Sequence, residues 1–155
     1  MMDSKRQQSW KFSTLLFRID GLYDQWAKRT GETGNTLAIF YALESGELYT
    51  QKQLSEEFLI PKQTLNSIVK DCIAKGYIRL APSPENHREK LLCLTEAGRE
   101  YVDSFLAPLL AIEQYAVGQM TQEYGDAVLK GLEKFCEIFQ QQLDAAGKPD
   151  KEDTQ

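Results

Sequence analysis

The chain holds a single histidine, His87, and only three cysteines, at positions 72, 93 and 136. One histidine excludes most histidine clusters, and an odd number of widely spaced cysteines fits neither a disulfide framework nor a C-x-x-C metal pair. Also missing are a G-x-S-x-G elbow, an H-E-x-x-H pair, a P-loop and a dinucleotide fingerprint. The chain is therefore not expected to be an enzyme, and no cofactor or metal is implied. Nowhere do roughly eighteen apolar residues follow one another, and the start, MMDSKRQQSWKF, has no apolar run of signal-peptide length. A cytoplasmic protein without a membrane partner is expected. Its thiols should be reduced: Cys72 and Cys136 fall on apolar helical stripes, where a free cysteine acts as a small buried hydrophobe, while Cys93 lies in an alternating segment that could turn it toward solvent.

A surplus of positive charge is absent too. The net charge of −5 argues against indiscriminate coating of nucleic acid. The total hides a distribution. Residues 50–90 hold seven Lys or Arg against five acids, residues 1–49 balance at six against six, and residues 96–155 hold five against twelve. One middle segment is locally basic, and the C-terminal third is acidic.

What is present is an ordinary folded composition, 42% hydrophobic and 26% charged over 155 residues, enough for one domain or a small domain with added helices. Apolar residues at three-four spacing predict a first helix over about 7–30, ended by Gly31 and Gly34. Asn35 is placed to cap a second helix to about Glu44, and Leu48 with Tyr49 could form a very short strand. TQKQ at 50–53 is a capping box for a short third helix, and Pro61 suits the first turn of a fourth that Gly76 ends. Two helices joined by a tight turn are the layout of a helix-turn-helix. YIRLA and KLLCL then read as strands around the turn-rich PSPENHRE, a hairpin with a polar, partly basic tip. Thr95 should cap a fifth helix with Pro108 inside it as a kink, Gly118 should end that helix, and Thr121 should cap a sixth to about residue 145, before a frayed tail.

The fourth helix has two unlike faces. Leu65, Ile68, Val69 and Cys72 share one, while Lys62, Gln63, Asn66, Ser67 and Lys70 share the other with no acid among them. A polar face is usually plain solvated surface. This one lies on the second helix of a tight helix-turn-helix, in the only net-basic segment, followed by a hairpin, and amides, hydroxyls and lysines are the groups that read base edges and phosphates. The first, fifth and sixth helices carry more apolar surface than one small domain can cover, so the terminal helices are expected to interlock with those of a second copy.

The segment YTQKQLSEEFLIPKQTLNSIVKDCIAKGYI, the wing SPENHREKLLCLTEAG and the flanking helices resemble the multiple-antibiotic-resistance regulator (MarR) family over about residues 10–145. KQTLNSIV and LTEAG are the most specific pieces. The resemblance implies a mainly α fold with a small β wing: a winged helix-turn-helix over 35–98, dimerisation helices over 1–34 and 99–145, and a disordered tail over 146–155. It implies a homodimer on double-stranded DNA, acting as a regulator, with repression the expected sign. Gln63, Thr64, Asn66 and Ser67 would then face bases or phosphates, Lys62 and Lys70 the backbone, and Arg88, with His87 and Lys90 nearby, the minor groove. The family often has an aspartate two residues before that arginine, and the sequence here is Asn86, His87, Arg88, which removes the charge pairing.

Many relatives respond to a small aromatic or anionic effector, and Trp10, Phe17, Trp26, Phe40 and Tyr41 could line such a pocket, although aromatic residues at helical spacing are more often core. A winged helix that binds protein in place of DNA is the alternative; it would present an apolar fourth helix.

Overall fold

The computed structural model describes residues 3–146. The chain divides into two compact units between Leu110 and Ala111. The tail expected over 146–155 lies outside the described residues except for Ala146, which ends the last helix.

In the first unit, α1 (Ser4–Thr30) stops at Gly31, whose φ of 81° turns the chain left-handed and lets its N–H cap the helix end. Helix α2 (Gly34–Glu44) begins two residues earlier than expected. Its cap is Thr33, not Asn35: the Thr33 hydroxyl accepts the Thr36 N–H at 3.1 Å, which leaves Asn35 inside the first turn. Gly34 packs close to α1, where a Cβ would make the Asp24 carboxylate turn aside.

Strand β1 (Tyr49–Thr50) leads into α3 (Gln51–Glu57), and the capping box forms as read: Thr50 accepts from the Gln53 N–H at 3.2 Å, and Gln53 accepts from the Thr50 N–H at 2.8 Å. Helix α4 (Lys62–Ala74) follows across a turn of four residues, 58–61, that the Ser55 hydroxyl clasps by donating to the Ile60 carbonyl at 2.8 Å. Strands β2 (Ile78–Pro82) and β3 (Lys90–Leu94) pair antiparallel, with Arg79 opposite Cys93 and Leu80 opposite Leu92, and β1 adds to the far side of β3. The core beneath them is closed. Phe40 and Ile39 of α2, Leu54 of α3, Leu65 and Val69 of α4, Leu92 of β3 and Val102 and Leu106 of the next helix are almost wholly removed from solvent, each contributing about 1.5–3 kcal/mol of burial.

Helix α5 (Glu96–Tyr124) starts under the Thr95 hydroxyl, which accepts the Gly98 N–H at 3.0 Å and itself donates to the Gly76 carbonyl at 2.5 Å. Gly98 is buried against the backbone just before β2, where a Cβ would overlap the Tyr77 carbonyl, so the glycine of LTEAG lets α5 start at close quarters to it. Pro108 sits inside α5 as expected.

The expected break at Gly118 does not occur. Helix α5 continues through it to Tyr124, and Gly125 at φ 66° makes the turn instead. A glycine inside a helix costs only about 1 kcal/mol, which a long helix absorbs. Thr121 is not a cap: its hydroxyl donates back to the Val117 carbonyl at 2.9 Å, inside the helix.

In the second unit, α6 (Ala127–Ala146) carries a strongly one-sided apolar stripe, yet none of its residues is buried. Phe135 and Phe139 stack on one another at 5.3 Å, with Phe139 still 52% exposed. Cys136, expected to be buried, is exposed, whereas Cys72 is buried and Cys93 half-buried. The stripe predicts an apolar face correctly; among the described residues that face has no cover.

Candidate nucleic-acid interface

Helix α4 puts Leu65, Val69 and Cys72 into the core and half-buries Ile68, which fixes the rotation of the helix about its axis. By that rotation Lys62, Gln63, Asn66, Ser67 and Lys70 are all exposed, and Thr64 is half-buried at the edge. The one acid of α4 is Asp71, tied at 2.8 Å to Lys75 at the end of the helix. No side chain caps the start of α4 at Pro61, so the first-turn N–H groups and the positive end of the helix dipole remain available to an anion.

The hairpin places His87, Arg88 and Lys90 on its exposed tip. Its turn is held by Asn86. The Asn86 carboxamide oxygen accepts the Arg88 N–H at 3.2 Å, its carbonyl accepts the Glu89 N–H at 2.8 Å, and the Glu89 carbonyl accepts from Ser83 at 3.0 Å. Asparagine thus keeps the turn an aspartate would make and gives up only the charge. Among the described residues neither Lys62, Lys70 nor Arg88 is held in an ion pair. At the wing root, the Tyr49 hydroxyl donates to Glu47 at 2.8 Å, and that bond with burial pushes its pKa up to about 12, so it stays a donor at any physiological pH.

Two residues escape the sequence reading. Gln51 and Lys52 of α3 line a groove of about 500 Å3 together with Lys62, Gln63, Leu65 and Asn66. The signal that points to them is electrostatic: a lysine in the first turn of a helix opposes the helix dipole, so Lys52 has no local reason to be there.

The five aromatic residues considered for an effector are scattered. Phe40 is in the core and touches Phe105 edge-on at 6.0 Å; the half-buried Trp26 donates its indole N–H to the Phe105 carbonyl at 3.0 Å; Tyr41 is half-buried. Trp10 and Phe17 are 63% and 77% exposed.

A helix-turn-helix whose second helix has an open polar face, followed by a three-stranded wing and flanked by long helices, is a winged helix-turn-helix. The family model for the MarR family matches residues 31–89. Over 74 residues the chain is 34% identical to YdcH of Bacillus subtilis (strain 168), an uncharacterized HTH-type transcriptional regulator, covering 48% of this chain and 50% of that protein. The chain therefore matches half the length of that curated relative. Among solved structures, NMB1585, a MarR family regulator from Neisseria meningitidis, is similar at a TM-score of 0.70 and 25% identity, over 90% of this chain and 98% of that one. MepR of S. aureus, solved in its DNA-binding conformation, shares the fold at a TM-score of 0.71 and 19% identity, over 85% of this chain and 98% of that one. Residues 31–89 are thus similar to the MarR family, and the fold along most of the chain is shared with a MarR family regulator.

No described helix is long and apolar enough to cross a membrane.

Proposed function

We propose that the protein is a cytoplasmic, sequence-specific transcription regulator that binds double-stranded DNA as a homodimer and represses from a pseudopalindromic operator. The observation that carries this reading is the outward face of α4, on which Lys62, Gln63, Asn66, Ser67 and Lys70 are all exposed above a buried stripe. Asparagine and glutamine pair with adenine edges in the major groove, and the lysines attract phosphate. Arg88, with His87 and Lys90, enters the minor groove from the wing, and Lys52 joins Lys62 on the backbone.

Dimerisation is supported by apolar residues left open in each unit. In α1, Trp10, Leu15, Phe17, Ile19 and Leu22 are exposed; in α6, Ile138, Phe139 and Leu143 are. Faces of this kind on a soluble protein are covered by a partner. The terminal helices, 1–34 and 99–145, then hold two winged domains, 35–98, with half-sites about 10 bp and ~34–36 Å apart. A small aromatic or anionic effector is a separate part of this reading, and the scattered aromatic residues give it no single pocket.

A winged helix that binds protein is the second reading. It needs an apolar α4, yet Ile73, at the far end and 38% exposed, is the one large apolar residue that α4 leaves open.

The test is a gel shift with the protein's own upstream DNA at two salt concentrations. Expected are a shift that weakens steeply with salt, and a Lys62→Ala variant whose salt slope is smaller by about one for each phosphate that a subunit no longer neutralises. No shift at low salt, with the dimer intact, would sink the DNA reading and favour the protein-binding one.

A further inference from the structure

We propose that His87 makes DNA binding proton-linked: the wing tip carries a net positive charge into the minor groove only when this imidazole is protonated. Such a switch rests on the DNA-binding reading and deepens it, adding regulation by pH at the same site.

The first support is position. The chain's one histidine lies in the turn of the hairpin, directly before Arg88, and residues 84–90 are all exposed. Histidine is the side chain that changes charge between about pH 5 and 8. The turn is also held in one shape, because the Ser83 N–H donates to the Glu89 carbonyl at 3.0 Å and the Glu89 N–H to the Asn86 carbonyl at 2.8 Å. His87 and Arg88 are therefore presented together.

The second is charge balance. Over residues 85–90 the acids Glu85 and Glu89 stand against Arg88 and Lys90, two of each sign. With the imidazole neutral the tip has no net charge, and one proton makes it positive. Further down the ladder, past the Pro82 and Lys90 pair, the one charged side chain of β2 is Arg79, three pairs away opposite Cys93.

The third is that the free protein offers the proton no partner. Asn86 holds the turn through a neutral amide, whose oxygen accepts the Arg88 N–H at 3.2 Å. Among the described residues none of Glu85, His87, Arg88, Glu89 and Lys90 is in an ion pair. Glu85 and Glu89 are exposed, where water screens their attraction. A carboxylate at 86 would favour the imidazolium with or without DNA; an amide leaves that gain to the phosphates.

The negative potential of a narrow minor groove attracts Arg, Lys and His side chains, and it favours imidazolium over imidazole. Binding then takes up a proton. By linkage, affinity rises as pH falls through the range where the bound wing is protonated and the free wing is not, and it levels off once both are.

Fluorescence anisotropy of the full chain on its own upstream DNA, at fixed ionic strength from about pH 8 down to about pH 5.5, reads the effect. The wild type should gain about tenfold in affinity for each wing, and its salt slope should steepen by about one per subunit at the low end. His87→Gln should stay at the weak, high-pH level throughout. His87→Arg, whose charge is permanent, should bind at the tight level even at about pH 8, a gain that damage to the fold cannot produce. A wild type whose affinity is flat with pH, or a His87→Gln variant that keeps the full pH dependence, overturns the proposal and leaves DNA binding standing. No binding at any pH overturns the DNA-binding reading and the switch with it.

Discussion

Helices α4 and α6 begin from the same kind of sequence and end in opposite situations. Both carry apolar residues at helical spacing on one face. The α4 stripe of Leu65, Val69 and Cys72 is buried, with α3 and β2 packed against the helix, whereas α6 has no buried residue at all and leaves Ile138, Phe139 and Leu143 open. Periodicity reports that a face wants cover; it does not report whether the cover is in the same chain. For α4 the consequence is rigidity, since a helix fixed on its inner side presents its outer side in one orientation. For α6 the consequence is an apolar face left open among the described residues.

The largest effect that sharpens this contrast lies in the closed region. Gly98→Ala would drive a methyl group into the Tyr77 carbonyl, which is backbone and cannot rotate away. The same carbonyl accepts the Thr95 N–H at 3.0 Å, so a shift there also disturbs the start of α5. A loss of about 3 kcal/mol is expected, the upper range for overpacking a tight site. A urea titration measures it, and a loss below about 0.5 kcal/mol, the scale of an ordinary surface change, would mean that α5 is free to move away from β2.

Phe139→Asp tests the open region. If α6 were merely surface, this change would cost within about ±0.5 kcal/mol and leave the oligomeric state alone. If a second copy covers it, a charge buried in an apolar interface should weaken association by about 2 kcal/mol or more. Sedimentation velocity across a dilution series separates the two, and a variant as dimeric as the wild type removes Phe139 from the interface.

How far the sequence alone carries follows the same line between local and distant causes. The capping box at Thr50 is legible because both of its hydrogen bonds close within four residues. The outer face of α4 is legible because the apolar period fixes it. What the sequence hides depends on competition between neighbours or on partners far along the chain. Thr33 takes the cap of α2 from Asn35 because its hydroxyl, two residues earlier, is the one that meets a free first-turn N–H, that of Thr36. Gly118 does not end α5 because one glycine is a weak stop inside a long helix. Burial of Cys136 does not follow from its stripe, because a stripe can be apolar and uncovered. That Lys52 lines one groove with Lys62 is hidden because only the packing of α3 beside the start of α4 makes them neighbours; the sequence shows just a lysine set against the helix dipole.

The smallest effect concerns the turn that joins the two helices. Leu59 has φ of 52° although it is not glycine, and its side chain is 78% exposed, so it holds a left-handed backbone with little packing in return. A non-glycine residue there costs about 1–2 kcal/mol, and glycine gives back roughly 0.5–1 through the freedom of the unfolded chain. Leu59→Gly should therefore raise stability by about 0.5 kcal/mol, read as a higher urea midpoint with an unchanged slope. DNA affinity adds the discriminating measurement. A variant that is more stable and binds DNA as before makes the leucine a bystander of the turn. If it is more stable but binds DNA several times more weakly, the exposed side chain touches the duplex, and the strain at this position has been kept for that interaction.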